Sequence, residues 1–186
     1  ERDLFSLQRV DLVHLARAVR HATSVDNLVL LRDEIRSMVE RMIAHGASPE
    51  QVTRLITLLN DHMVSRVIEL CMEQHGDPGV EFTWLVFGSE ARKEQTLYTD
   101  QDNGILFEAN SQEEANAIRQ KLLPLAREIN LVLDDCGFSL CKSNVMAGNA
   151  ELCLSRQEWL GRFSKIVRGA TPENLMYSTI CFDMRA

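Results

Sequence analysis

Phe82-Thr83-Trp84-Leu85-Val86-Phe87-Gly88-Ser89-Glu90-Ala91-Arg92 is followed, after a short polar stretch, by Thr99-Asp100-Gln101-Asp102-Asn103-Gly104-Ile105-Leu106-Phe107. Phe82 to Phe87 is a short apolar run with aromatic content, which predicts a strand; Gly104 to Phe107 predicts a second. Gly88 allows a sharp turn off the first strand, because glycine alone takes the required backbone angles at little cost. Ser89 is expected to open a helix whose free N–H groups and hydroxyl can hold phosphate oxygens. Arg92, one turn on, brings a forked, permanently charged head to the same oxygens. Lys93 offers a second cation, with a solvated helix face as its plainer reading. Asp100 and Asp102 are two apart, so on a strand they share a face. Their hard oxygens suit Mg²⁺ (or Mn²⁺), which completes its shell with water and substrate phosphates. A lone Gly-Ser or a lone Asp-x-Asp means little. Together, between apolar strands, they point to metal-assisted transfer of a nucleotidyl group, which needs carboxylates converging on two ions.

On these residues the chain resembles the nucleotidyltransferase superfamily that includes DNA polymerase beta, whose signature is a Gly-Ser turn followed by Asp-x-Asp on the next strand. The longer strings Gly88-Ser-Glu-Ala-Arg-Lys-Glu-Gln95 and Thr99-Asp-Gln-Asp-Asn103 resemble, more specifically, the DUF294 group of bacterial nucleotidyltransferases. Those are relatives of the protein-PII uridylyltransferase amino-terminal domain. The resemblance extends to Val145-Met146-Ala147, Trp159 and Phe182-Asp183-Met184-Arg185. It implies uridylyl or adenylyl transfer from an NTP to a protein or small-molecule acceptor, in a signalling setting. It also implies cyclic-nucleotide-binding and CBS modules ahead of this region, and further helices after Arg185 that help hold the acceptor. Asp183 is the candidate third carboxylate, beside Asp100 and Asp102; an ion pair with Arg185 is its competing reading. Two other classes of function stay open: a nucleotide-sensing module that binds without turnover, and a helical protein-interaction domain.

The 186 residues hold one core, or one core with a helical appendage. A net charge of −7 argues against a domain held mainly by nucleic-acid phosphates, but not against a nucleotide neutralised by its own metal. Apolar runs are too short to span a bilayer, so no membrane partner is expected. Five cysteines, without Cys-x-x-Cys spacing, fit reduced thiols in the cytoplasm and argue against a zinc site, since no His or Cys pair has the usual ligand spacing.

The fold class expected is α+β: a small mixed sheet flanked by helices, preceded by a helical bundle. The boundary falls at Gly76-Asp77-Pro78-Gly79, dividing 1–76 from 77–186. Residues 7 to 75 read as three or four helices, with stripes such as Leu28, Leu31, Ile35 and Met38 at helical spacing. Thr23-Ser24 separates the first two, and Ser48-Pro49-Glu50 caps another. Ser111 to Cys136 predicts a long helix that Pro124 kinks or splits. Phe138 to Cys141 is expected as a third strand, Ser155 to Glu158 as a capping box, and Tyr177 to Met184 as a final strand. Asp134 and Asp135 read as solvated loop acids. Lys142-Ser143-Asn144 reads equally as a turn or as a contact to base or ribose.

Overall fold

The computed structural model describes residues 12–169 and 171–186. Three helices come first: α1 (12–20), α2 (Val25–Ala44) and α3 (Pro49–His75). The expected start of the first helix at residue 7 lies outside the described residues. Local chemistry sets the breaks between the helices. The Ser24 side chain accepts the Asn27 N–H at the start of α2. Ser48 and Gln51 form a reciprocal capping box at the start of α3, with Pro49 in the first turn. Such caps satisfy N–H groups that the helix itself leaves without partners.

The sheet follows: β1 (Phe82–Phe87), the single turn α4 (Gly88–Ala91) and β2 (Asn103–Phe107), then α5 (Gln112–Asp135). A short 3₁₀ turn leads into β3 (Cys153–Ser155), α6 (Arg156–Arg168), α7 (Pro172–Cys181) and β4 (Met184–Arg185). Strand order is β3-β2-β1-β4. β1 runs antiparallel to β2, with Trp84 opposite Ile105, and antiparallel to β4, with Phe87 opposite Met184. β2 and β3 are parallel. The class is therefore α+β, with a mixed sheet following the helices.

One apolar cluster runs from the helical region into the α/β part. Leu59, Met63 and Val67 of α3 share it with Ile129 and Leu133 of α5, and Phe82 and Trp84 pack against its edge. On the other sheet face Leu85 and Phe87 meet Trp159 of α6, whose indole N–H donates to the Ile105 carbonyl at 2.9 Å. Gly104 is required where these layers meet. A Cβ there would lie 2.9 Å from the Leu152 carbonyl oxygen and 3.0 Å from the Phe87 ring. Gly104→Ala should therefore cost about 1–3 kcal/mol by overpacking, read as a lowered thermal midpoint.

Three expectations are corrected. Pro124 does not split α5, which runs as one helix from Gln112 to Asp135. Pro124 and Gln120, whose carbonyl loses its helical donor, are both exposed residues, so the lost bond falls on the solvent side of the helix. Phe138 to Cys141 is not a strand; only a single parallel bridge forms, between Asp100 and Ser139. Its backbone is claimed elsewhere: the Phe138 carbonyl accepts the Gln101 side chain and the Leu140 N–H donates to Asp134. The third strand is instead β3. Finally, Tyr177 to Cys181 continues α7, and the last strand is reduced to Met184–Arg185. Packing overrides local β propensity there; α7 lies against α6, with the Arg162 guanidinium 4.4 Å above the Tyr177 ring.

Candidate active site

Gly88 leaves β1 with φ +55, in the left-handed region that favours glycine, and its N–H donates to the Asp183 carbonyl at 3.0 Å. The turn it opens is one turn long: α4 ends at Ala91, and Lys93 follows it with φ +61. The helix expected at Ser89 is thus present but stops before Lys93. Ser89 and Lys93 nonetheless flank the same corner, Ser89 half-buried and Lys93 exposed.

The aspartates arrive just ahead of β2 rather than within it. Asp100 makes the bridge to Ser139, and the Asp102 carbonyl accepts the Phe87 N–H at 2.9 Å. Their common orientation comes from the residues between and after them. Gln101 and Asn103 are 2% and 3% exposed and turn inward to meet Asn130 of α5, itself 4% exposed. Gln101 donates to the Asn130 and Phe138 carbonyls at 2.9 and 2.7 Å, and accepts from the Asn130 amide at 2.8 Å. Asn103 accepts from Asn130 and from the Ala147 N–H. With the amides anchored inside, alternation along the chain turns Asp100 and Asp102 the other way. The result is direct: Asp102 Oδ2 lies 3.5 Å from the position a Gly88 Cβ would take. Gln101→Leu removes two donors and an acceptor from this buried cluster. At about 1–3 kcal/mol for each orphaned group, it should lower the denaturation midpoint severely, more than any surface change nearby.

Burial raises the Asp102 pKa, and the Asp100 charge adds to that; the Cys141 thiol, donating to the carboxylate, opposes both. Asp102 thus holds a negative charge in a half-buried place beside a second carboxylate. This donor set fits Mg²⁺ or Mn²⁺, which binds through one or two carboxylates and takes its remaining ligands from water and phosphates. Among the described residues, no group of three or more His, Cys, Asp and Glu side chains gathers into a metal-holding cluster.

Asp183 sits beside the corner, but its partner is not Arg185. Arg92 Nη1 lies 2.6 Å from Asp183 Oδ2, while Arg92 Nε holds Glu94 at 2.8 Å. Arg185 reaches instead to Asp61 of α3, with bonds of 2.6 and 3.0 Å. Two acids at the site were not singled out by sequence reasoning for any role. Glu90, inside the Gly-Ser string, is 5% exposed, and burial pushes its pKa up to about 7. Asp61 anchors β4 from the helical region. An acid set directly behind the Gly-Ser turn, where an apolar strand has just ended, is the signal that could have found the first. Asp61 carries no such signal. Asp134 and Asp135 are exposed, as is the turn Lys142–Asn144, and none of them meets the corner.

An antiparallel strand pair that turns at Gly-Ser and brings Asp102 back to face the turn, with helices against the sheet, is the arrangement of a nucleotidyltransferase-type fold. A family model described as "Putative nucleotidyltransferase DUF294" matches residues 33–173. The chain belongs to that family, whose activity class is nucleotidyl transfer with an NTP as donor. No curated protein matches the chain. No helix among the described residues is long and apolar enough to cross a membrane.

Proposed function

We propose that the chain moves a nucleoside monophosphate, uridylyl or adenylyl, from an NTP to a protein or small-molecule acceptor in a cytoplasmic signalling setting. The observation that carries this reading is the facing of Asp102 and the Gly88 corner, where Asp102 Oδ2 would lie 3.5 Å from a Cβ added at Gly88. A triphosphate lying against the corner would meet the Gly88–Ser89 backbone and the Ser89 hydroxyl. Asp100, Asp102 and, once freed from Arg92, Asp183 are the residues that would hold Mg²⁺ or Mn²⁺. When bound, such ions supply charge neutralisation on the phosphates and acidify the attacking hydroxyl. The chain's own contribution is positioning: an anchored aspartate pair, a corner open to oxygen, and Arg92 with Lys93 as cations beside it.

The test is incubation of the chain with each α-labelled NTP, Mg²⁺ and lysate, beside Asp100→Ala. Label on an acceptor that disappears in the variant is the expected result; equal labelling by both removes Asp100 from the mechanism. A second reading, nucleotide binding without turnover, is favoured by the Arg92–Asp183 pair, which neutralises the candidate third carboxylate. It predicts Mg²⁺-dependent NTP binding with no pyrophosphate released.

A further inference from the structure

The helix α3 touches the site at two consecutive residues. Successive residues of a helix point about 100° apart, so neighbours can serve different structures. Asn60 donates to Gln95 Oε1 at 2.7 Å. Gln95, 1% exposed, donates in turn to the Thr99 hydroxyl and to Glu90, each at 3.2 Å. Thr99 begins the aspartate segment: its hydroxyl donates to the Asp100 carbonyl and its own carbonyl accepts the Ser139 N–H. Asp61 faces the other way. It grips Arg185 through two bonds, and Arg185 also donates to the Glu90 carbonyl at 3.3 Å. Arg185 is two residues from Asp183, whose carbonyl holds the Gly88 N–H.

We propose that Asn60 and Asp61 are positioning residues of the site: Asn60 sets the aspartate segment through Gln95 and Thr99, and Asp61 sets the Asp183 segment and the Gly88 corner through Arg185. Neither side chain belongs to the corner or to the aspartate pair. The inference deepens the nucleotidyl-transfer reading, and its binding consequence rests on that reading. Its structural consequence does not. The helical region thereby becomes part of the catalytic geometry, and a shift of α3 would move both flanks of the nucleotide site together.

The experiment compares the full chain with Asn60→Ala, Asp61→Asn and Thr99→Val. Amide exchange is followed at Gln101 and Ser139, which report the aspartate segment, at Gly88, which reports the Asp183 segment, and at Ile129 and Leu133 as a core reference. Affinity for MgATP and MgUTP is measured by titration. Asn60→Ala should speed exchange at Gln101 and Ser139 at least tenfold and leave Gly88 nearly unchanged; Asp61→Asn should do the reverse. Both should weaken Mg-nucleotide binding at least fivefold with the core reference unmoved. Thr99→Val should reproduce the Asn60→Ala pattern and add little to it in the double variant. Exchange rising equally at Ile129 and Leu133 would mean that α3 is only glued to the domain, and unchanged exchange at the reporters would overturn the proposal outright. If the unmutated chain binds neither nucleotide, the transfer reading fails while the exchange pattern still decides the positioning.

Discussion

Asp102→Asn is expected to abolish nucleotidyl transfer while leaving the fold as stable as before, or more so. The two effects have one origin. Asp102 carries its charge where burial and the Asp100 carboxylate both disfavour it, which is why its pKa is raised. At neutral pH the folded chain holds that charge at a cost, and an isosteric amide relieves it. The same carboxylate is the group that faces Gly88, so its charge is what a cation-bound triphosphate would meet there. Its loss should lower transfer at least ~1000-fold, about 4 kcal/mol at 1.36 kcal/mol per tenfold. Label transfer and a thermal melt on the same preparation check both parts. A fall in transfer together with an equal fall in the melting midpoint would reduce Asp102 to a structural residue. A rise in the midpoint without transfer is the signature of a site that stores unfavourable charge for use on a ligand.

What could be read from the sequence, and what could not, follows from the range of the interactions involved. The strands Phe82–Phe87 and Asn103–Phe107 are announced by their own apolar runs, and α2, α3, α5 and α6 by caps at Ser24, Ser48, Ser111 and Ser155. Those signals are local. β3 and β4 hold three and two residues, too few for any periodicity to show. They exist because β2 and β1 offer them a ladder, and that is settled by the tertiary fold. Tyr177 to Cys181 illustrates the opposite error, since an alternating pattern gives way to a helix packed on α6.

The site divides in the same manner. The facing of Asp102 and the Gly88 turn follows from a turn and an alternation, both visible in the residues. The partner of Asp183 does not, because Arg92 lies 91 positions away in the chain and competes with the nearer Arg185. Arg185 is already committed to Asp61, 124 positions away. Asn103 looks like a residue that fixes its loop locally, yet its bonds reach Asn130 and Ala147, 27 and 44 positions away. Amides in a strand otherwise rich in apolar residues are the trace such a buried cluster leaves. Without a fold to show where Asn130 sits, that trace has no partner.

Glu90→Gln should stabilise the chain at pH 8 and remove a pH dependence that the native chain shows between about pH 4.5 and 7. Glu90 is 5% exposed; burial raises its pKa to about 7 from an ordinary 4.5, with the Asp61 charge adding and Arg185 opposing. One of its oxygens accepts from Gln95, while the other has no hydrogen-bond partner. The sign follows from proton counting. Below about pH 4.5 both folded and unfolded chains carry the protonated acid, and no penalty exists. As pH rises toward 7 the unfolded chain releases its proton while the folded chain keeps it, so stability falls. Above about pH 7 both are ionised and the loss is complete, on the order of 3 kcal/mol for a difference between 4.5 and about 7. Glutamine keeps the acceptor for Gln95 and carries no charge at any pH, so the sloping part of the profile attributable to this residue should disappear. Urea denaturation of both chains at pH 5, 6, 7 and 8 measures it directly. Parallel profiles would show that Glu90 titrates as an ordinary surface acid. Converging curves at pH 5 that separate by pH 8, with the variant above, place an uncompensated carboxylate under the Gly-Ser turn. The buried acid beneath the Gly-Ser turn therefore costs the fold most above about pH 7, where its carboxylate is ionised.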